Sequence, residues 1–221
     1  MKQDVKPRRR YDSPHRREQA AATRRAVIDV AKRLFLADGY AGTTMAAIAR
    51  EAGVVVETLY RSFGSKAGLF GAVVEAALAG GVERAEVPVE ARPAIAAIIA
   101  EPDPARQVAL YAATQLGIHR RAGPLLRAVR DAAAIDPEVA RVWSELEGQR
   151  HAGQARVAGL LASRGVLREG LSVERASDLI WTLCSLAVFD LFVVERGWTP
   201  EEYESWLVGA LTHELLGHSG R

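Results

Sequence analysis

The sequence predicts an all-α protein with a small amino-terminal helical domain followed by a larger helical domain. Three observations lead to this prediction. Apolar residues recur at helical spacing along most of the chain, prolines or short polar residues stand where helices would begin, and glycines stand where they would end. No segment alternates between apolar and polar residues as a half-buried strand does. A chain of 221 residues is long enough for a small domain joined to a larger one.

The beginning of the chain is polar and basic. Residues 1–15 contain two prolines and show no periodicity, which predicts a disordered basic arm. Up to Arg25 there are nine cations and three anions, a local charge of +6, whereas the whole chain carries +2. This imbalance is expected if one end of the molecule faces phosphate, although a solubilising tail has the same composition. The chain shows neither the apolar run of a signal peptide nor an unbroken membrane span, so we expect a cytoplasmic protein without a membrane role.

Four helices are predicted between residues 16 and 80. The first begins near Glu18 and is capped at its end by Gly39, and Ser65 is placed to cap the fourth. Glycines and prolines after residue 79 mark a boundary, so we divide the chain into an arm, 1–15, and two domains, 16–80 and 81–221. The predicted helices of the first domain are 18–38, 44–52, 55–62 and 66–79.

Six helices are predicted in the second domain. Each is introduced by a proline or a short polar residue, and several are followed by a glycine. The single cysteine, Cys184, lies in the most apolar of them and is expected to be a buried small hydrophobe. The predicted helices are 93–100, 104–121, 124–134, 137–164, 173–196 and 200–216.

Helices 44–52 and 55–62, joined by a tight turn at Gly53, predict a helix-turn-helix motif whose second helix can lie in the major groove of DNA. The surrounding residues resemble the TetR family. The resemblance lies in Asp38-Gly39-Tyr40, Gly42 to Ala49, Ala52-Gly53-Val54, Thr58 to Lys66 and Leu69-Phe70, and it extends over about residues 16–75. It implies a homodimeric transcriptional regulator that a small-molecule effector releases from a palindromic operator. Repression is the default implied by the resemblance, and activation remains open.

The resemblance also assigns DNA contacts. Thr44, Tyr60 and Lys66 correspond to positions that contact phosphates, although Tyr60 could equally belong to the core. A lysine at the first position of a helix opposes the helix dipole, which makes sense if a phosphate lies opposite Lys66. Arg16 and Arg17, at the end of the basic segment, are expected to add backbone or minor-groove contacts. Base reading is expected from the outer face of the third helix: Val56, Glu57, Thr58, Arg61 and Ser62.

The third helix departs from the family pattern at two positions. Val55 has no side-chain oxygen with which to cap the helix, and Glu57 places a carboxylate near phosphates. Glu57 can compensate by its favourable interaction with the positive end of the helix dipole.

The second domain resembles, more loosely, the regulatory domain of actinobacterial-type members of the family. This resemblance implies a small-molecule pocket among the middle helices and a dimer interface built from the last two long helices. Core packing is the competing interpretation for each of these residues. The expected pocket residues are Tyr111, Leu116, His119, Trp143, Leu146, His151 and Trp181. The expected interface residues are Leu186, Phe189, Phe192, Val193, Tyr203, Trp206, Leu207 and Ala210.

Two other classes of function compete with a regulator. An enzyme is disfavoured because the chain shows no P-loop, dinucleotide-binding glycine motif, nucleophile elbow or pair of metal ligands, and no cofactor or metal is expected. A helical carrier without DNA binding would leave the basic arm and Lys66 unexplained. Changing Arg61, Lys66 and Tyr60 to alanine separates the carrier from the regulator, because only a regulator should lose operator affinity.

Overall fold

The computed structural model describes residues 14–217, with side chains from Arg17 onward. Most of the predicted arm therefore lies outside the described residues, and the first helix begins at Pro14, within the predicted 1–15 arm. The α-helices are α1 (Pro14–Gly42), α2 (Met45–Glu51), α3 (Val56–Phe63), α4 (Lys66–Ala79), α5 (Val82–Ala85), α6 (Pro93–Ala100), α7 (Pro104–Ala133), α8 (Pro137–Ser163), α9 (Val173–Leu183), α10 (Leu186–Phe189) and α11 (Pro200–Leu215).

The predicted all-α class is confirmed. In the part of the chain that the structure describes, the only β-type pairing is an isolated antiparallel bridge between Leu167 and Leu216. A short 3₁₀ turn, Val89–Ala91, precedes α6, and a π-helical segment, Asp190–Glu195, follows α10.

Local capping explains the start of α2 and of α4. The Thr44 hydroxyl accepts a hydrogen bond from the Ala47 amide at 3.1 Å, and the Ser65 hydroxyl accepts one from the Gly68 amide at 3.1 Å. Helix α3 has no side-chain cap, as expected from Val55. Gly39 has a φ of 71° and ends the regular part of α1, which confirms the glycine stop that the sequence predicts.

Helix α7 is continuous, so the prediction of two helices, 104–121 and 124–134, is wrong. Pro124 lies inside α7 with its ring exposed, whereas Ala122, Gly123 and Leu125 beside it are buried. A proline inside a helix costs about 3 kcal/mol. Burial of the neighbouring apolar face offsets this cost, which local propensity alone does not reveal.

The prediction of one helix over 173–196 is also wrong. The chain bends by 41° between α9 and the segment Leu186–Glu195. Cys184 is buried at this bend, as predicted, and the Ser185 hydroxyl starts α10 by accepting from the Val188 amide at 3.2 Å. Serine is favourable as a helix-capping residue and unfavourable inside a helix, so one helix ends and a new helix begins at this point.

Two apolar clusters hold the described residues together. The first joins α1 to α4 with parts of α7 and α8, and it contains Phe35, Phe70 and Leu125. The second joins α6 to α11 and contains Leu161 and Ile180. The first cluster crosses from the amino-terminal helices into α7 and α8, and α1 and α4 make the packing contacts between the two parts.

No single helix among residues 14–217 has the length and apolar character needed to cross a bilayer, although the bent pair Val173–Leu183 and Leu186–Glu195 meets these criteria by length and composition.

Candidate nucleic-acid interface and ligand cavity

Helix α3 presents a polar outer face. Leu59 is fully buried and anchors the helix, whereas Glu57, Arg61 and Ser62 are exposed. Tyr60 is 52% exposed, so it is not a core residue. A short helix that is anchored by its apolar side and exposes its other side to solvent can lie in the major groove of DNA.

The remaining predicted DNA contacts border this face. Thr44 is exposed, and its hydroxyl accepts from the Ala47 amide, so its own proton can still be donated to a phosphate. Val56 and Thr58 are half-buried, and Val56 packs against the first apolar cluster. Arg17 is exposed, whereas the side chain of Arg16 lies outside the described residues.

Lys66 is tied to the loop after α1. Its ammonium donates to the carbonyl oxygens of Tyr40 at 2.9 Å and Thr43 at 3.2 Å, and it lies 4.1 Å from the centre of the Tyr40 ring. An ammonium has three protons, so these bonds leave one for a phosphate. Lys66 therefore has a structural role that the sequence does not reveal, in addition to the expected one.

Tyr40 continues this link into the larger domain. Its hydroxyl donates to Asp136 Oδ2 at 3.1 Å, and Asp136 caps α8 by accepting from the Glu138 and Val139 amides. Desolvation and the hydrogen bond to Asp136 raise the pKa of Tyr40. Desolvation acts to raise the pKa of Asp136, but its bonds to the two amides and to Tyr40, together with the charge of Lys66, lower it overall. A polar chain thus connects the first residue of α4 to the first turn of α8.

A second link joins the far end of α4 to α7. The Arg121 guanidinium donates to the carbonyl oxygens of Ala77 at 3.4 Å and Leu78 at 3.1 Å, in the last turn of α4. A cation there complements the negative end of the helix dipole. Helix α4 is therefore attached to the larger domain at both ends.

A mainly apolar cavity of about 630 Å³ lies beside the end of α4. This volume is typical of small-molecule sites. Helices α6, α7 and α8 form most of its wall, and Leu78 of α4 contributes to it. The other lining residues are Val89, Glu90, Ile95, Ile98, Ile99, Tyr111, Gln115, Ile118, Leu146, Gln149, Arg150, Ala152, Gly153, Gln154, Arg156, Val157 and Leu160.

Two of the seven expected pocket residues, Tyr111 and Leu146, line this cavity, and burial raises the pKa of Tyr111 well above its usual value. The other five lie elsewhere because their side chains point away from it. Trp143 packs against the first cluster and Leu116 belongs to the second. His151 is exposed, and Trp181 is partly exposed beneath the Arg150 guanidinium.

His119, the fifth of these residues, is a core residue. Its ring stacks on Phe189 at 4.8 Å between centroids and meets Tyr203 edge to face. Burial lowers the pKa of His119 to about 4, so the ring is neutral at pH 7.

Gln154 was not among the predicted pocket residues, although the sequence contains a signal for it. Gln154 is a polar residue at a position of α8 that shares the buried stripe of Leu146, Ala158 and Leu161. A polar side chain in a buried apolar stripe needs a hydrogen-bond partner, which can be a bound molecule. The near-continuous apolar run of α6, Pro93–Ala100, was a further signal for a cavity wall.

The expected interface residues divide into two groups. Phe189, Tyr203 and Leu207 are buried within the second apolar cluster, so their assignment to a surface between subunits is wrong. They face inward because α10 and α11 close the core of the same chain. The half-buried residues are Leu186, Phe192, Val193, Trp206 and Ala210.

A different apolar face is exposed on the same segment. Leu191 is 51% exposed, Val194 is 62% exposed, and Ala187 is also exposed. Leu191 and Val194 lie in the π-helical segment Asp190–Glu195, which directly continues α10, the helix that contains Ala187. This face, Ala187, Leu191 and Val194, is called the α10 apolar face below.

Comparisons with known proteins agree with this architecture. Residues 27–73 match the family described as bacterial regulatory proteins, tetR family. No curated protein matches the chain.

Solved structures share the fold over most of the chain. One is NalD of Pseudomonas aeruginosa, the secondary repressor of the MexAB-OprM multidrug efflux pump. It is 21% identical, the match covers 91% of this chain and 100% of that one, and the TM-score is 0.67. A regulator from Saccharomonospora viridis in complex with choline is 16% identical, covering 90% of this chain and 100% of that one, with a TM-score of 0.67. FadR of Bacillus subtilis in complex with stearoyl-CoA is 16% identical, covering 84% and 96%, with a TM-score of 0.64.

The described residues therefore form an all-α fold in which an amino-terminal helix-turn-helix presents α3 outward and a larger set of helices follows. The family match covers residues 27–73, which contain the helix-turn-helix, and the solved regulators share the fold of the helices that follow.

Proposed function

We propose that this regulator is a homodimeric repressor that binds a palindromic operator and leaves it when a small molecule enters the cavity beside α4. Residues 16–80 bind DNA and residues 81–221 bind the effector and form the dimer. The observation that carries this proposal is the pairing of an outward-facing α3 with a cavity whose wall includes Leu78 of α4. DNA as the partner also implies a cytoplasmic location.

The DNA contacts follow from exposure and chemistry. Arg61 has the planar fork that bonds guanine, and Ser62, Thr58, Val56 and Glu57 border the same groove. Phosphate contacts come from the hydroxyls of Thr44 and Tyr60, from the remaining proton of Lys66, and from Arg16 and Arg17.

Release follows from the attachments of α4. Lys66 ties its first turn to Tyr40, which in turn bonds Asp136 at the start of α8, and Arg121 of α7 holds its last turn. A ligand that shifts α7 or α8 is therefore expected to move α4 as well. Half-sites lie about one turn of DNA apart, so a small change in the separation of two α3 helices costs affinity. The structures with choline and stearoyl-CoA support a small-molecule effector.

Dimerisation is assigned to the α10 apolar face together with the half-buried Trp206 and Phe192. An exposed apolar face of this kind favours association with a second copy, and a twofold dimer matches a palindrome.

Selection of bound duplexes from a random DNA pool tests the proposal. We expect a palindromic consensus, and we expect Arg61→Ala, Tyr60→Ala and Lys66→Ala to weaken binding to it. A ligand that occupies the cavity should lower operator affinity by about 1–3 kcal/mol. Recovery of no consensus would contradict DNA recognition, and unchanged operator affinity with the cavity occupied would contradict release.

A further inference from the structure

The charged groups that line the cavity already have partners. The Arg150 guanidinium donates to Glu147 Oε2 at 2.9 Å and to the Trp181 carbonyl oxygen at 2.8 Å, and it stacks on the Trp181 ring. Arg156 lies 3.4 Å from Glu90, and both side chains are more than half exposed. Neither an anion nor a cation in this cavity would therefore find an uncompensated opposite charge among these lining groups.

Because these charged side chains are already paired, they restrict the charge that a ligand of the cavity can carry. An ion that leaves water for an apolar site loses its hydration, and only a counter-charge or several hydrogen bonds can compensate for that loss. The isoleucine, leucine and valine side chains of α6 and α8 offer neither. An ionised head group is therefore disfavoured in this cavity, whereas an apolar chain fits its walls.

One polar group in the wall stands out. The Gln154 side chain is 2% exposed, and neither its amide nitrogen nor its amide oxygen has a hydrogen-bond partner among the described residues. The amide lies near the Tyr111 hydroxyl without forming a bond of normal geometry. A buried amide without partners is costly, so its presence at this point is explained if a bound molecule supplies the missing donor and acceptor.

We infer that the cavity takes an uncharged, mainly apolar molecule carrying one amide-like or hydroxyl group, which exchanges hydrogen bonds with the Gln154 amide. The inference rests on the proposed effector site and names its ligand class. Gln154 is the residue that determines specificity, and Tyr111 lies beside it at the polar end.

The choice among head groups can be measured directly with three probes of equal chain length: decanamide, decanoate and decylamine. We expect calorimetry on the full chain to show decanamide binding at least tenfold more tightly than either ionic probe at neutral pH. Binding of decanoate or decylamine as tightly as decanamide overturns the inference, as does the absence of decanamide binding.

Two variants test the role of Gln154. Gln154→Leu should weaken decanamide binding at least tenfold and raise the Tm of the ligand-free protein, because two unpartnered polar atoms are removed. The matched control is Gln149→Leu, since Gln149 also lines the cavity but is exposed. It should change decanamide affinity by less than about twofold.

A fall in the Tm of ligand-free Gln154→Leu, or unchanged decanamide affinity, would mark Gln154 as a structural residue and overturn the inference. These measurements need no DNA. A protein that selects an operator but rejects decanamide would contradict the ligand class and leave the proposed DNA recognition standing, whereas failure to select an operator contradicts that recognition alone.

Discussion

The Lys66 ammonium lies 4.1 Å from the centre of the Tyr40 ring while it donates to the Tyr40 carbonyl oxygen at 2.9 Å. The same tyrosine reaches Asp136 at the start of α8. One residue thus contacts both the first turn of α4 and the capping residue of a cavity helix. We therefore expect Lys66 and Tyr40 to transmit movement between the two domains.

Removal of the Tyr40 hydroxyl tests that role. Tyr40→Phe keeps the ring beneath Lys66 but loses the bond to Asp136, so we expect the free energy of unfolding to fall by about 1–2 kcal/mol. We also expect a smaller effect of effector on operator affinity. Denaturant unfolding and operator titration with and without effector measure the two quantities. Coupling that stays at its wild-type value would contradict a role for the Tyr40 to Asp136 bond.

Arg121 holds the other end of α4. Arg121→Met retains most of the side-chain packing but removes the bonds to the Ala77 and Leu78 carbonyl oxygens. We expect a loss of about 1–2 kcal/mol in stability, since the helix end loses its cationic donor. Arg141→Met is a matched control, because Arg141 is exposed and its nearest carboxylate, Glu138, is 4.0 Å away. Equal losses in the two variants would contradict the capping role of Arg121.

Gly68 is required at the start of α4. A Cβ at this position would lie 2.2 Å from the Phe63 carbonyl oxygen, so Gly68→Ala should strain the junction between α3 and α4 and destabilise the protein by more than about 1 kcal/mol. Gly148→Ala is the control, because a Cβ there meets nothing within 4 Å and alanine favours a helix. We expect the Tm to fall for the first variant and to rise for the second. A stable Gly68→Ala protein with unchanged operator affinity would contradict the tight junction.

His119 makes stability depend on pH. Its folded pKa is about 4, below the ordinary value of 6.5, so the unfolded chain binds a proton first as the pH falls. The wild type should therefore lose roughly 3 kcal/mol between about pH 6.5 and pH 4, and His119→Leu should lose less over the same range. Denaturant unfolding of both proteins across this window measures the difference. Parallel profiles would mean that His119 is not buried in its neutral form.

The α10 apolar face predicts the oligomeric state. Leu191→Asp should dissociate the proposed dimer, because a carboxylate would enter an apolar interface. Ile135→Asp is the matched control, since Ile135 is 77% exposed in the turn between α7 and α8. Analytical ultracentrifugation separates the outcomes, and a Leu191→Asp protein that remains dimeric would show that another surface holds the subunits together.

The sequence predicted the helices of the amino-terminal part well because each start and stop there has its own local signal. Thr44, Ser65 and Gly39 act within a few residues of their own position. The errors at Pro124 and Cys184 have two different origins. Burial of Ala122 and Leu125 keeps α7 intact across a proline, and this outcome depends on tertiary packing. The Ser185 cap after Cys184 is a local signal, but it lies inside an apolar run that reads as one continuous helix.

The cavity was predicted less well than α3. Exposure of the α3 outer face follows from its helical period, whereas a pocket depends on which side of a long helix faces the gap between its neighbours. His119 and Trp181 lie on helices of the larger domain but point elsewhere. Gln154 could have been found from its place in a buried stripe, because polar residues there need partners.

The most direct test of the central claim compares the affinity of the wild type and of Arg61→Ala for the selected operator and for a scrambled duplex of equal length at fixed salt. We predict that the wild type prefers the operator by about a thousandfold or more, and that Arg61→Ala loses about 1–3 kcal/mol of that preference with little change in its affinity for the scrambled duplex. A wild type that binds both duplexes equally, or an Arg61→Ala protein that keeps the full preference, would contradict the assignment of α3 as the DNA-reading helix.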